Sequence, residues 1–355
     1  MDQPGNSRNV GHLNRRLALA GASACLLARA GFASAQGSDV TQKLLTFYIG
    51  VGEGAGALDL LARALSIALP KYLPGKPVIA VSSMPGAGGL KMANYVEFSG
   101  PPDGSSWGFP PRAAVLPLSK EDTLAARFDP RALRWIGSPS KSPLVGAIWT
   151  RTTSVRSIAD LAKTSVIVGA TGFGQDNSNF PKALNEVAGA KFKVVMGYRS
   201  PADIMLAMER GEVQGIFGAS WASLRQEPAA EWLRDGRLLP IIQFEAARHP
   251  ELPDVAALPD IAWTSPDGRA LIDYFVSANV LGFPAFLGSR TQDTVLMTMR
   301  TAYEAAIRDV DYQATLTTLG LPFDPTTGED IERTIQRIFD TPDSIKQRAL
   351  AIVSR

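Results

Sequence analysis

The sequence of 355 residues contains 36 Lys and Arg against 34 Asp and Glu. This balanced charge excludes a strongly basic surface, so no nucleic-acid partner is expected. The length suffices for two domains of ordinary size, and a single cysteine excludes a disulfide framework within the chain.

The first 35 residues have the pattern of an export signal. Arg15 and Arg16 precede an apolar run, 17–27, that is too short to span a bilayer, and Ala-Ser-Ala ending at Ala35 matches the cleavage preference. We predict cleavage after Ala35 and a periplasmic mature protein without cysteine, since Cys25 leaves with the signal. The paired arginines leave the twin-arginine export route open, and lipidation at Cys25 is the less favoured alternative.

The first element of the mature chain is an apolar strand from Leu44 that runs through alternating glycines into an amphipathic helix. Gly50, Gly52, Gly54 and Gly56 allow backbone N–H groups to approach a ligand at the positive end of the helix dipole. This predicts an anion pocket, with a ligand-free turn as the alternative. Nucleotide sites are disfavoured, because no acidic residue follows at the required spacing and no Gly-Lys-Ser/Thr ends the loop.

A second βα unit repeats this arrangement. A strand at Val78–Ser83 ends in the glycine-rich turn 84–89, which opens a helix at Leu90–Phe98, and a short strand follows at Ser106–Phe109. Neighbouring parallel strands end at the same edge of a sheet, so two N–H-rich loops are predicted at one ligand-binding edge. The proline-punctuated segment 123–156 is predicted to be the first crossing between domains.

A second α/β set follows the crossing. Its predicted loop, Thr171–Asn179, carries hydroxyl and amide groups that can bind a carboxylate. The other predicted elements are strands at Ser165–Ala170, Lys193–Met196 and Val213–Phe217, and helices at Phe180–Ala188, Ala202–Arg210, Gln292–Arg308, Glu329–Asp340 and Asp343–Val353.

Several segments together resemble the substrate-binding proteins of tripartite tricarboxylate transporters, the Bug family. They are Phe47–Arg63, Met84–Gly89 with Pro102-Asp103-Gly104, Gly197–Val213, Arg248–Val255 and the helical tail after Pro284. The resemblance implies an α/β, periplasmic-binding-protein-like (Venus flytrap) fold with two lobes and a ligand cleft between them. Lobe 1 would comprise 36–140 and 280–355, and lobe 2 would comprise 141–279.

The resemblance also implies where a ligand binds. The implied contacts in lobe 1 are Gly52, Glu53, Gly54, Ala55, Gly56 and Asp59, and those in lobe 2 are Thr171, Gly172, Phe173, Gly174 and Ser178, with Tyr198, Arg199 and Asp203 near the cleft. Two positions depart from the family: Ala55 replaces a common glycine, and Ser83 replaces a usual asparagine. A methyl group at Ala55 restricts the approach of the backbone to a ligand.

Several candidates have a structural alternative to ligand contact. Asp59 lies in the first helical turn, where the dipole favours a carboxylate whatever the function, and Arg63 can pair with it one turn later. Glu53 would repel an anion unless it points away, or it would accept an ammonium or hydroxyl group. Arg199 is either a carboxylate partner or a solvated surface residue. Trp221, a further candidate, either forms the floor of the site or packs in the core.

A serine hydrolase is the rival enzyme class. The segment 218–222, Gly-Ala-Ser-Trp-Ala, approaches a nucleophile elbow at Ser220 but lacks its final glycine. His249, the sole histidine of the mature chain, would have to serve as the base. With one histidine and no cysteine a transition-metal site is disfavoured, and we expect neither a metal nor a cofactor.

These observations predict a solute-binding protein, not an enzyme, that captures a small carboxylated ligand by domain closure. Membrane permease subunits of a tripartite transporter would receive the ligand. A sensor domain that responds to the ligand-bound form is the alternative partner. We expect the protein to be a monomer.

Overall fold

The structure is a computed structural model that describes residues 44–54, 56–116 and 127–354. Three predictions fall outside these residues: the export signal with its cleavage after Ala35, the loss of Cys25, and the loop position Ala55. Within the described part, no helix is long and apolar enough to cross a membrane.

The strands of the described residues form two separate sheets. In chain order they are β1 (Leu44–Ile49), β2 (Val78–Ser83), β3 (Ser106–Phe109), β4 (Arg134–Ser138), β5 (Leu144–Trp149), β6 (Ser165–Ala170), β7 (Lys191–Met196), β8 (Gly215–Ser220), β9 (Leu238–Gln243), β10 (Ala285–Leu287) and β11 (Thr326–Thr327).

Helices pack on the faces of both sheets. They are α1 (Ala57–Ala68), α2 (Leu90–Phe98), α3 (Asp176–Ala188), α4 (Pro201–Glu209), α5 (Trp221–Leu224), α6 (Ala229–Arg234), α7 (Gly268–Val276), α8 (Asp293–Ile307), α9 (Val310–Thr318), α10 (Gly328–Phe339) and α11 (Asp343–Val353).

Sheet 1 has the strand order β11-β4-β10-β3-β1-β2. β1 runs parallel to both β2 and β3, whereas β10 is antiparallel to β3 and β4. Leu45, Phe47 and Ile49 of β1 are fully buried because their side chains alternate onto one covered face. The carboxyl ends of β1, β2 and β3 therefore meet at one edge, as the sequence predicts for the two glycine-rich loops.

Sheet 2 has the order β7-β6-β8-β5-β9. β6 is parallel to β7 and β8, and β5 is antiparallel to β8 and β9. All six residues of β5 are buried, as expected for a strand in the interior of a sheet. The ends of β6 and β8 lie at the same edge, which brings the loop after Ala170 close to Ser220.

The chain passes between the sheets at residues 139–143, between β4 and β5, and at residues 277–284, between α7 and β10. These crossings separate a lobe built on sheet 1 from a lobe built on sheet 2. Helix α10 packs against β4, whereas α11 packs against α3 and α7, beside sheet 2. The tail thus has contacts in both lobes, and the lobe boundaries given by the sequence stay a prediction.

The crossing at 139–143 lies within the segment 123–156, which the sequence predicts as the first crossing between domains. The same segment also contains β4 and β5, because its prolines at 130, 139 and 143 flank these strands and do not interrupt them. Helix α3 begins at Asp176 and not at Phe180. Gln175 has an extended backbone at the N-cap, and the carboxylate of Asp176 is favoured in the first turn.

Candidate functional site

A cleft with a volume of about 720 Å³ lies between the two lobes. This volume suits a small organic molecule. Lobe 1 contributes the start of the first glycine loop, the turn after β2 and the Pro-Pro-Arg segment after β3. Lobe 2 contributes the start of α3, the turn before α4 and the end of β8.

Several backbone amides in and just after the first glycine loop bond within the protein. The Gly54 N–H donates to Asp59 Oδ2 at 2.9 Å, and the Gly56 N–H donates to the Gly54 carbonyl at 2.9 Å. The Ala57 N–H donates to Ser223 Oγ of lobe 2 at 3.2 Å. Among the described residues of the loop, those from Gly50 through Glu53 line the cleft.

Asp59 has a structural role in helix α1. It is 2% exposed and accepts a 2.9 Å hydrogen bond from Arg63 Nε, besides the bond from Gly54. The predicted pairing of Asp59 with Arg63 along the helix is confirmed. Arg63 Nη2 also donates to Glu53 at 3.0 Å, so the Glu53 carboxylate is held by a cation of its own loop region.

The turn after β2 has backbone angles that few residues adopt. Gly86, Gly88, Gly89 and even Ala87 have positive φ. A Cβ on Gly89 would lie 2.4 Å from Cδ of Pro111, so glycine is required for this turn to pack against the end of β3. The turn consequently presents bare backbone to the cleft.

Two hydrogen bonds join the lobes directly across the cleft. Gln175 Nε2 of lobe 2 donates to the Gly88 carbonyl of lobe 1 at 3.0 Å. The second is the bond from the Ala57 N–H to Ser223 Oγ. Both bonds require the walls of the cleft to be close together, so they favour a closed arrangement of the lobes.

Lobe 2 faces the cleft with the N-terminus of α3. The backbone N–H and Oγ1 of Thr171 both donate to Asn177 Oδ1, at 3.0 and 3.2 Å, which fixes the loop before the helix. No hydrogen bond to another described residue occupies the N–H groups of Asp176 and Asn177. These first N–H groups carry the positive end of the helix dipole.

Arg112 is the buried cation of the cleft. Its residue is 6% exposed, and its guanidinium lies 5.2 Å from the centre of the Phe283 ring. Nη1 donates to the Ser142 carbonyl at 3.4 Å, and Nε lies 4.0 Å from Asp176 Oδ2. Burial lowers the pKa of Arg112, but an arginine keeps its charge in proteins. The guanidinium therefore has hydrogen-bonding capacity that these long contacts do not use.

Two carboxyl groups face this arginine. Burial raises the pKa of Asp176 to about 6, against the opposing attraction of Arg112. Burial also raises the pKa of Glu245. This rise is opposed by the charge of Arg112, by a backbone hydrogen bond from Leu144 and by the charge of His249. Asp176 lines the cleft and Glu245 does not. Both shifts show that desolvation outweighs attraction at these positions.

The structure brings six of the fourteen described candidate residues to the cleft. Those that line the cleft are Gly52, Glu53, Thr171, Tyr198, Arg199 and Asp203. Those that do not line it are Gly54, Gly56, Asp59, Gly172, Phe173, Gly174, Ser178 and Trp221. Arg199 lies at the rim with its side chain 88% exposed, and the Trp221 indole donates to Glu251 at 2.8 Å.

Arg112 is the cleft residue that the sequence did not point to. Gln175 and Asp176 fall inside the predicted lobe-2 loop, Thr171–Asn179, but were not singled out as contacts, and Ser220 was considered only as a nucleophile. One signal was present: Arg112 follows the carboxyl end of β3 directly after two prolines, at the edge where the glycine-rich loops also lie.

The geometry does not assemble a hydrolase site. The buried Ser220 hydroxyl has no hydrogen-bond partner among the described residues, so it is not bonded to His249. His249 Nδ1 instead accepts from the Glu251 N–H at 3.2 Å. Within residues 44–54, 56–116 and 127–354, no group of three or more His, Cys, Asp or Glu side chains is placed to hold a metal ion.

Comparison with known proteins gives matches among solved structures. No family model and no curated protein matches the sequence. A TctC solute-binding protein from Polaromonas is 16% identical with a TM-score of 0.58, covering 88% of this chain and 98% of its own. The periplasmic binding protein BugD is 16% identical with a TM-score of 0.66, covering 86% and 97%. MatC from Rhodopseudomonas palustris with bound malate is 17% identical with a TM-score of 0.63, covering 87% and 99%.

The chain has the fold of two-lobed periplasmic binding proteins. The predicted α/β, Venus-flytrap architecture is thereby confirmed. The solved structures that it resembles include the TctC solute-binding protein and the periplasmic binding protein BugD, in agreement with the resemblance found in the sequence. These similar proteins are named as binding or transport proteins, not as enzymes.

Proposed function

We propose that this chain is an exported solute-binding protein of the tripartite tricarboxylate type. It captures a small carboxylate in the cleft and delivers it to a membrane permease. The observation that carries this proposal is the cleft itself, which combines a buried arginine with bare backbone turns and a helix N-terminus. The malate bound to the similar MatC supports a carboxylate as the ligand class.

Closure of the lobes provides the affinity. A ligand that contacts Arg112 of lobe 1 and the start of α3 in lobe 2 satisfies both walls only when they are close. The bonds from Gln175 to Gly88 and from Ala57 to Ser223 contribute in the same arrangement. A permease, or in the alternative a sensor domain, would then recognise the closed form.

Thermal denaturation of the mature chain, residues 36–355, tests the ligand class. We expect a dicarboxylate or aromatic carboxylate to raise the melting temperature, because a ligand at about 100 times its Kd stabilises the folded state by about 2.7 kcal/mol. The matched diamides, which lack the negative charge, should produce no shift. A panel of such acids without any shift would refute the proposed function.

Delivery to a permease and export are tested in cells. We expect the protein in the periplasmic fraction with an N-terminus at Gln36. Deletion of its gene should abolish uptake of the acid that binds. Normal uptake with loss of a transcriptional response to that acid would assign the protein to a sensor instead.

A further inference from the structure

Three polar groups at the base of the cleft lack adequate partners. Among the described residues, the Arg112 guanidinium makes one 3.4 Å hydrogen bond, and its 4.0 Å approach to Asp176 is too long to be another. The Asp176 carboxyl forms no hydrogen bond with another described residue. The Ser220 hydroxyl is buried without a partner in the described part of the chain. The Ser220 hydroxyl is thus a buried group without a described partner, while the side chains of Arg112 and Asp176 are 6% and 15% exposed and keep capacity for a ligand in the cleft.

Packing holds these groups near one another. Gly218 of β8 approaches the first turn of α3 so closely that a Cβ there would lie 2.7 Å from the Asp176 carbonyl carbon. Ser220 follows on the same strand and pairs in register with Leu144. Leu144 comes shortly after Ser142, whose carbonyl contacts Arg112. The arginine, the carboxyl and the hydroxyl therefore line the same cleft.

The charges define what can bind. Arg112 requires an acceptor, and a carboxylate matches its planar donors. Asp176 stands beside it and would repel a bare carboxylate, while Glu245 faces Arg112 from outside the cleft and offsets part of its charge. A ligand with a donor next to its carboxylate removes this conflict, because the donor reaches Asp176 while the carboxylate reaches Arg112.

We propose that Arg112, Asp176 and Ser220 form a subsite for a carboxylate that carries a hydroxyl or ammonium group on the adjacent carbon. The carboxylate accepts from Arg112 and Ser220, and the adjacent group donates to Asp176. This inference rests on the proposed function and specifies which acids the cleft selects.

Calorimetric titration at pH 7.5 with acids of matched skeleton tests the selection. The probes are succinate, L-malate and L-aspartate, together with propionate, L-lactate and L-alanine. In at least one series the hydroxy or amino acid should bind about tenfold or more tightly than the plain acid, as a charge-assisted hydrogen bond allows. A plain acid that binds as well as its substituted partners in both series would overturn the subsite but leave the proposed function intact. Absence of binding by all six would overturn the subsite.

Three variants assign the contacts. Arg112→Gln should weaken binding of the preferred acid by about 10- to 100-fold. Asp176→Asn, which keeps the size of the side chain, should strengthen succinate binding and shrink the advantage of aspartate by about tenfold. Arg234→Gln is the control, since Arg234 forms an exposed pair with Glu227 away from the cleft, and it should bind like the wild type. If Arg112→Gln does not fold, the Asp176→Asn result decides: an undiminished advantage of aspartate over succinate refutes the subsite.

Discussion

Replacing Asp176 by Asn should stabilise the protein at neutral pH. Burial raises the pKa of this carboxyl to about 6 from its ordinary 3.8, so the folded protein holds the proton more tightly than the unfolded chain. The folded state is therefore penalised for ionising Asp176. The penalty is absent below pH 3.8 and fully present above pH 6. A shift of roughly 2 pH units corresponds to about 3 kcal/mol.

Urea unfolding at pH 4 and pH 7.5, followed by tryptophan fluorescence, measures this penalty. The quantity to compare is the free energy of unfolding of Asp176→Asn minus that of the wild type, because the other titrating groups cancel in this difference. We expect the difference to be larger at pH 7.5 than at pH 4 by up to about 3 kcal/mol.

Asp267 provides a control with the opposite sign. Hydrogen bonds from Arg348 and Ser265 lower its pKa to about 2. Asp267→Asn should therefore lose stability relative to the wild type at neutral pH, and this loss should shrink as the pH falls toward 2. For Asp176, a difference that stays constant or becomes smaller at pH 7.5 would refute the reasoning. It would mean that Arg112 stabilises the ionised carboxylate by more than burial penalises it.

Three further substitutions test other parts of the structure. Gly56→Val should weaken acid binding about 5- to 150-fold without changing the circular dichroism spectrum. The reason is that φ of Gly56 is 81° and a Cβ there would lie 2.8 Å from Ser223 Oγ. Undiminished binding in a titration would show that the first loop is not part of the site. Gln175→Ala should increase the radius of gyration measured by X-ray scattering without ligand, since a bond between the lobes is lost; an equal radius would contradict this role. Gly108→Ala should lower the free energy of unfolding by about 1–3 kcal/mol, because its Cβ would meet the Phe286 ring at 2.3 Å, and urea denaturation measures the loss.

The sequence predicted strands correctly where an apolar run ends in a glycine or proline turn. The strands Val78–Ser83, Ser106–Phe109 and Ser165–Ala170 and the helix Leu90–Phe98 have the predicted bounds. Their limits are set by local chemistry, namely β-branched or aromatic runs and residues that terminate them. The pairing of Asp59 with Arg63 was predictable for the same reason, since it depends on spacing within one helix.

Features decided by distant contacts were not predictable. β5 pairs with β8 and β9 on both sides. Its apolar run after Pro143 is compatible with a buried strand, but that run alone does not show which strands would pair with it. The approach of Arg112 to Asp176 joins residues of different lobes, and their burial depends on how the lobes pack. Composition around Arg112 indicates only a proline-rich turn. A list of every polar residue that directly follows a parallel strand would have included it.

The position of Arg112 has a mechanical consequence. Its guanidinium contacts the Ser142 carbonyl and the Phe283 ring, and these residues belong to the two connecting segments, 139–143 and 277–284. In the proposed closure of the lobes, these two segments are the ones that would flex. Substitution of Arg112 would then change the stiffness of both connectors as well as the affinity for the ligand, whereas substitution of a residue at the rim would change the affinity alone.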